Sequence, residues 1–365
     1  MSTLFEPLTL RDLTVRNRLW LAPMCQYAVD REDGVPTDWH LVHLGARAQG
    51  GFGLILTEAT AVTPEGRISP QDTGLWNDAQ TDAWRRTVDF VHGQDAAIGV
   101  QLAHAGRKGS TFRGFDGEPQ GSVPSAAGGW TTVGPSSVPF TGYAAPTALT
   151  EEQIGDLVVA FAAAARRADA AGFDVVEIHA AHGYLLHEFL SPLSNRRTDG
   201  YGGDFDGRTR LLLEVVDAVR ADWPAGKPLF VRISATDWVE RGWDADQSVR
   251  LAARLTARGV DLVDTSTGGN VVAPIPVAPG YQVPFARRIR TEAGIRTGAV
   301  GLILEPQQAE KILADGDADA VLLARAALRE PSWPQRAAAE LGLSWREAPY
   351  PPAYTRGRWD DVPAL

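Results

Sequence analysis

Eight short apolar runs, most of them followed by a stretch with helical spacing, constrain this chain more than any single motif does. The strand-like runs are Arg18 to Pro23, Phe52 to Glu58, Ala97 to Leu102, Phe173 to Ile178, Pro228 to Ile233, Val260 to Thr265, Ile295 to Ala299 and Ala320 to Leu323. Helices are expected to begin near Asp38, Asp78, Thr150, Gly207, Asp244, Pro284, Glu305 and Pro331. The clearest starts at Thr150, where Thr-Glu-Glu-Gln forms a capping-box pattern. Ile154, Leu157, Val158, Phe161 and Ala165 then recur at helical spacing, and Gly172 marks a C-terminal stop. Strand-then-helix units repeated without a second compositional regime favour a closed parallel α/β barrel over an open doubly wound sheet. Residues 1–365 therefore read as one barrel domain.

Two segments break the rhythm. Ala105 to Leu149 is rich in Gly, Pro, Ser and Thr and reads as a long excursion over the barrel mouth after the third strand. Glu347 to Leu365, with Pro349, Pro351 and Pro352 close together, cannot be regular helix and reaches over another part of the structure. With 365 residues, 44% of them hydrophobic, and no apolar run long enough for a bilayer, the chain has the material for a large buried core. Met1 to Leu13 shows no secretory pattern, so a cytoplasmic address is expected. Cys25 is the only cysteine, which excludes an internal disulfide and a cluster held by several thiolates of this chain. A formal charge of −10 without a basic stripe argues against a nucleic-acid partner, while leaving room for a local basic pocket around a small anionic cofactor.

In a barrel, function gathers at the C-terminal ends of the strands. Those ends supply Pro23-Met24-Cys25-Gln26-Tyr27, then Glu58-Ala59-Thr60, then Gln101 followed by His104, Arg107 and Lys108, and Arg232 near the end of the fifth strand. The sixth ends in Thr265-Ser266-Thr267-Gly268-Gly269, the seventh in Gly298-Ala299-Val300-Gly301 and the eighth in Leu323-Ala324-Arg325. A small-residue turn and a nearby arginine suit a phosphate, held by backbone N–H groups and a cation. The fourth end is the most heavily loaded, with His179-Ala180-Ala181-His182-Gly183-Tyr184. Imidazoles can donate to a carbonyl or anionic oxygen, and a phenol can carry a proton to carbon, so this stretch reads as a device for activating a carbonyl compound. Taken alone, the His-x-x-His pair also reads as two ligands of a metal-dependent hydrolase, with His187 or Glu188 as a third.

Four motifs decide between these readings: Pro23 to Tyr27, Ala103-His104-Ala105-Gly106-Arg107-Lys108, His179 to Tyr184, and Ser191 to Gly203. In this order they resemble the old yellow enzyme family of flavin-dependent ene-reductases, and the likeness runs nearly end to end. Cys25, the His-His pair and Tyr354-Thr355-Arg356-Gly357 are similar to the class of thermophilic-like ene-reductases and bacterial xenobiotic reductases. The resemblance implies a (β/α)8 TIM barrel, non-covalent FMN and NADPH as reductant. It places Ala22, Pro23, Met24, Cys25, Ala59 and Gln101 at the flavin ring, Arg232 at its electron-accepting end, and Gly301, Ala324 and Arg325 at its phosphate. It makes His179 and His182 donors to the carbonyl oxygen of an α,β-unsaturated substrate, Tyr184 the proton donor, and Tyr27 a positioning residue. It also implies a homodimer or homotetramer in which Arg356 enters a neighbouring subunit's site, and no metal.

The chain departs from the family pattern at Ala324-Arg325, where many relatives have Gly-Arg; a methyl group is tolerated there if the local φ is negative. Asp206-Gly207-Arg208 replaces a more usual Asn-Arg pairing, and Ala299-Val300 stands where some xenobiotic reductases carry an aromatic residue.

Overall fold

The computed structural model of the chain describes residues 2–359, so the last six residues of the Pro-rich C-terminal piece lie outside the described residues. The eight expected strands close a parallel barrel in chain order: β1 (Leu19–Leu21), β2 (Leu54–Ala61), β3 (Ala97–Ala103), β4 (Val175–Ala180), β5 (Leu229–Ser234), β6 (Leu262–Ser266), β7 (Arg296–Ala299) and β8 (Ala320–Leu323). β8 closes onto β1 through Val321↔Leu19, so the sheet has no edge strand left to protect. The surrounding helices are α1 (Asp38–Gln49), α2 (Asp78–His92), α3 (Glu151–Ala171), α4 (Phe205–Asp222), α5 (Ala245–Thr256), α6 (Val283–Ala293), α7 (Pro306–Ala314) and α8 (Trp333–Glu340). This is the (β/α)8 architecture. Among the described residues, no helix is long and apolar enough to cross a membrane.

The expected start and stop signals act as read. Thr150 Oγ1 accepts from the Gln153 N–H at 3.2 Å while Gln153 Oε1 accepts from the Thr150 N–H at 2.9 Å. α3 ends at Gly172, whose φ of 94° is left-handed and costs a residue without Cβ little. Several boundaries move by a few residues. β1 is shorter than Arg18 to Pro23, and α4 begins at Phe205 with the Asp204 carboxylate capping the Gly207 N–H at 2.9 Å.

Three elements were not foreseen. An antiparallel pair, Leu8–Leu10 with Leu13–Val15, closes the N-terminal end of the barrel. Leu8, Leu10 and Val15 pack there against the interior side chains Trp20, Leu54, Val175, Phe230 and Leu262. A six-residue helix, Leu185–Leu190, follows directly on the His-His-Tyr stretch, and a five-residue helix, Arg325–Arg329, precedes α8. Segments this short carry too few residues for either periodicity to register.

Within the strands, side chains alternate between the helix layer and the interior. On β4, Val176, Ile178 and Ala180 join the outer core, while Val175 points inward, followed by Glu177 and His179. The excursion from Ala105 to Leu149 does cross the mouth. Arg107 Nη2 donates to Asn270 O and Oδ1 at 2.5 and 2.9 Å, and Arg197 Nη1 donates to the Pro135 and Leu149 carbonyls at 3.1 and 2.6 Å.

Candidate active site

β4 ends by delivering His179 and His182 to the mouth, and a left-handed His182 (φ 60°) turns the chain so that Tyr184 returns toward His179. The His179 and Tyr184 rings lie edge to face with centroids 5.2 Å apart, and His179 Nε2 stands 3.4 Å from His182 Nδ1. Burial and the Arg232 charge hold both imidazoles well below the usual histidine range, so both are neutral. Burial, followed by the nearby Cys25 and Asp72, pushes the Tyr184 phenol well above its ordinary value, so it keeps its proton. The His179 Nδ1 atom is buried without a partner.

The backbone of His182 is tied down from two directions. Its N–H donates to Ser234 Oγ at 2.9 Å, and its carbonyl accepts from Lys108 Nζ at 2.8 Å. Lys108 also donates to Gly269 O at 3.1 Å and lies 5.1 Å over the Tyr184 ring. It is a half-buried strut whose ammonium is pushed down to about 8, mainly by burial. His182 Nε2 lies 2.8 Å from Ser266 Oγ, which in turn reaches Gln282 Oε1 at 3.1 Å. Ser266 Oγ donates its single proton to Gln282 Oε1 and so accepts from His182 Nε2, which places the imidazole proton on Nε2 and leaves Nδ1 to accept from His179 Nε2.

The remaining expected residues fall into two groups. Arg232, Gly301, Ala324 and Arg325 line one cavity of ≈ 140 Å³, together with Ser266 and Gln282. Gly301 has φ 113°, which only glycine adopts readily, and Ala324 has φ −107°, so its methyl group is accommodated. Two small residues leave the backbone uncovered beside a guanidinium, which fits the phosphate end of a mononucleotide. Cys25, Tyr27 and Tyr184 pack against a cluster of Ala59, Ile68, Ala103 and Ala105. Burial and the Asp72 and Glu58 carboxylates raise the Cys25 thiol well above its usual range, so it is a thiol that hydrogen-bonds the Tyr27 hydroxyl. Glu58 holds this loop: Oε2 accepts from the Gln26 N–H at 2.8 Å, and Oε1 pairs with His40 Nε2 at 2.8 Å.

Ala22 joins the barrel interior, Pro23 is half-buried, and Met24, also half-buried, packs against the outer core. Gln101 is buried and donates from Nε2 to Glu177 Oε1 at 2.8 Å. Arg232 is not a free charge, because its Nε pairs with Asp264 Oδ2 at 3.0 Å. Arg356 is not brought to this site within one chain. It is exposed on the turn Pro352–Gly357, and the segment leading to it lines a cavity with Phe5, Arg16, Asn17, Gln94 and Asp95 at the opposite end of the barrel.

Sequence reasoning missed Glu177, Asp264 and Gln282 as members of the site, and it placed Ser266 at the mouth without giving it a role. For the first two a signal was present: a carboxylate inside an otherwise apolar strand, two residues before His179 and Ser266 respectively. The metal-hydrolase reading finds no support. His187 has both ring nitrogens engaged, Nδ1 by the Gly183 N–H at 2.9 Å and Nε2 by Asp237 at 3.1 Å. Among the described residues, no three His, Cys, Asp or Glu side chains stand together as a metal-holding group.

A parallel barrel with two imidazoles and a phenol at its mouth, and a small cavity lined by guanidinium groups, fits a cofactor-dependent barrel enzyme. Residues 3–344 match the sequence model of the NADH:flavin oxidoreductase / NADH oxidase family. The NADPH dehydrogenase of Geobacillus sp. (strain WCH70) is 50% identical over 342 residues, covering 93% of this chain and 95% of that one. That of Geobacillus thermodenitrificans is 50% identical over 357 residues, 98% of each chain. Among solved structures, morphinone reductase in complex with tetrahydroNAD superposes with a TM-score of 0.77 at 30% identity, over 96% of this chain and 93% of that one. The old yellow enzyme homologue from Zymomonas mobilis gives 0.77 at 29% identity over 100% of both chains. The chain belongs to this family, the old yellow enzyme family, and is an FMN-dependent oxidoreductase.

Proposed function

We propose that this enzyme reduces the C=C bond of α,β-unsaturated carbonyl compounds with NADPH as electron donor. FMN held at the strand ends would supply hydride chemistry between the nicotinamide and the β-carbon. His179 and His182, neutral and adjacent, donate to the substrate oxygen as it gains enolate character. Tyr184, which holds its proton against loss to solvent, gives it to the α-carbon. Tyr27 orients the substrate from the Cys25 side, and Cys25 contributes an uncharged thiol beside the ring. Gln101 and the backbone from Ala22 to Cys25, with Ala59, hold the ring; Gly301, Ala324 and Arg325 hold the phosphate. Because Arg356 lies far from its own barrel mouth, it acts in the site of a neighbouring copy in a homo-oligomer. The cytoplasm, where NADPH is made, suits such a chain with one thiol.

The observation that carries this reading is the meeting of two neutral imidazoles and a protonated phenol within ring contact, Tyr184 5.2 Å and His182 5.1 Å from His179. The test is anaerobic stopped-flow spectroscopy of the double variant His179→Ala, His182→Ala with cyclohexenone. The variant is expected to keep its flavin and its reduction by NADPH, and to lose alkene reduction by ~10²-fold or more, since one oxyanion donor is worth about 10²–10³. An oxidative half-reaction at wild-type rate sinks the assignment.

A further inference from the structure

Inside a barrel, a charged side chain has no water to turn to and must be paired, hydrogen-bonded or neutral. Three ionisable groups nonetheless stand in the interior just below the mouth, on three consecutive strands: Glu177 on β4, Arg232 on β5 and Asp264 on β6. Glu177 and Asp264 are fully buried. Register aligns Glu177 with Gln101 of β3, and Arg232 with both His179 and Asp264. The contacts follow the register. Gln101 Nε2 donates to Glu177 Oε1 at 2.8 Å, and Arg232 Nε forms an ion pair with Asp264 Oδ2 at 3.0 Å. Glu177 Oε2 and both Asp264 carboxyl oxygens are buried without a hydrogen-bond partner.

The charges do not balance if both carboxyls ionise, since one guanidinium then faces two anions. Asp264 takes Arg232 directly, which leaves Glu177 as the group that stays neutral. Burial and Asp264 push the Glu177 carboxyl up to about 8, against the opposing pull of Arg232 and of the Gln101 hydrogen bond. A neutral carboxyl carries one acceptor oxygen and one O–H; with Gln101 Nε2 donating to Glu177 Oε1 at 2.8 Å, Oε1 is its carbonyl oxygen, the proton sits on Oε2, and Gln101 Oε1 is turned the other way, as an acceptor.

We propose that Glu177 is a positioning residue of this active site, a protonated carboxyl whose carbonyl oxygen takes the Gln101 Nε2 and so turns Gln101 Oε1 to the flavin, leaving Asp264 as the one ionised partner of Arg232. This rests on the functional reading above for the places of Gln101 and Arg232. Glu177 touches neither substrate nor cofactor, and acts through Gln101.

The experiment uses holoenzyme of the wild type, Glu177→Gln, Glu177→Leu, Gln101→Ala and the double variant Gln101→Ala, Glu177→Leu. Flavin release on dilution is followed by fluorescence, and the midpoint potential of the bound flavin is measured at pH 7. Glu177→Gln replaces the neutral carboxyl by a neutral amide of the same shape whose carbonyl still accepts from Gln101, so flavin affinity and potential are expected to match the wild type. Glu177→Leu is expected to weaken flavin binding about 10-fold, a coupling ordinary for side chains in direct contact. In the Gln101→Ala background the same leucine is expected to add nothing, because the amide it served is gone. A raised potential in Glu177→Gln would mean that a negative charge had been removed, and overturns the protonated carboxyl. Losses that multiply in the double variant overturn positioning through Gln101 and leave Glu177 a packing residue. Flavin binding by the wild type tests the functional reading separately from either outcome.

Discussion

The two ends of the barrel bury opposite chemistries with the same eight strands. At the N-terminal end the interior is apolar: Trp20 stacks on Phe230 with centroids 5.7 Å apart and planes 9° from parallel, and its indole N–H is satisfied by Asn17 O at 3.0 Å. The hairpin residues Leu8, Leu10 and Val15 cap that layer. Toward the C-terminal end, the same strands and their loops bury Glu177, Asp264, Glu188, His104 and His179, and each of these leaves at least one polar atom without a protein partner. An unsatisfied buried polar group costs about 1–3 kcal/mol. The mouth is therefore held in place by the rest of the fold and does not help hold it. Stability and chemistry are separated along the barrel axis, and the apolar end offsets what the polar end costs.

The strongest way to break that comparison is to damage the apolar end and look at the other. Trp20→Ala removes a fully buried indole, its stack on Phe230 and one satisfied hydrogen bond. Stability measured by urea unfolding is expected to fall by about 3–5 kcal/mol. Flavin affinity, measured well below the melting transition, is expected to stay at the wild-type value. A matching loss of flavin affinity in the still-folded variant would show that the two ends are one mechanical unit.

A smaller effect sharpens the comparison from the mouth. Glu188 is fully buried, with Oε1 accepting from the Arg107 N–H at 2.9 Å and Oε2 unpartnered. Burial pushes its carboxyl up to about 8, with the Arg107 charge pulling back. In the unfolded chain the carboxyl titrates near ~4.3. Between those two values the folded protein binds a proton that the unfolded chain does not, so this group makes stability fall as pH rises through the window. Glu188→Gln has no such proton to lose. Its stability relative to the wild type is expected to rise steadily between pH 5 and pH 8, because only the wild type loses a proton from the fold over that range. Identical pH dependence in urea unfolding of the two proteins would mean that Glu188 is ionised in the fold. The wild type and the variant share the remaining slope from Glu177 and Asp72, which burial raises to about 8 and about 7.

How much of this was legible in the sequence follows the same division. The eight strands and their helices were readable because the signals are local: Thr150 and Gln153 cap α3, Gly172 stops it, and Asp244 starts α5 with its carboxylate accepting from the Gln247 N–H at 2.9 Å. The motif residues at the strand ends were readable for the same reason, since a barrel converts the end of each strand into a place at the mouth. Illegible were the pairings across strands. Nothing local says that Arg232 meets Asp264, 32 residues further along, or that Gln101 meets Glu177, 76 residues further along. Nor does anything local say that the carbonyls Lys108 binds, His182 and Gly269, come from two other loops. The six-residue helix Leu185–Leu190 was hidden within an apolar run that either secondary structure could have claimed.

The smallest effect belongs to the N-terminal end and decides which end sets the pH response. His92 closes α2, and its Nε2 lies 2.7 Å from Asp174 Oδ2, which also accepts from the Ile98 N–H at 2.9 Å. The hydrogen bond and charge of Asp174 raise the imidazole above its ordinary value, against the opposing effects of partial burial and Lys227. A helix C-terminus adds to the preference for the cation. The folded form therefore holds its proton to higher pH than the unfolded chain does. The resulting stability is complete below the unfolded value near ~6.5 and is lost as pH rises through the folded one. The pair is substantially exposed, at 39% and 22%, so solvent screening reduces it to about 0.3–0.5 kcal/mol. His92→Gln is expected to lose that amount at pH 5.5 and nothing at pH 9. The sign is the same as at Glu188, so a wild-type profile alone cannot assign the slope to either end. Salt separates them: ~1 M NaCl, with a screening length near 3 Å, should erase the His92 contribution and leave the buried Glu188 one intact. If salt instead flattens the whole profile, the pH response comes from exposed pairs, and the buried carboxyls at the mouth cost the fold less than their missing partners imply.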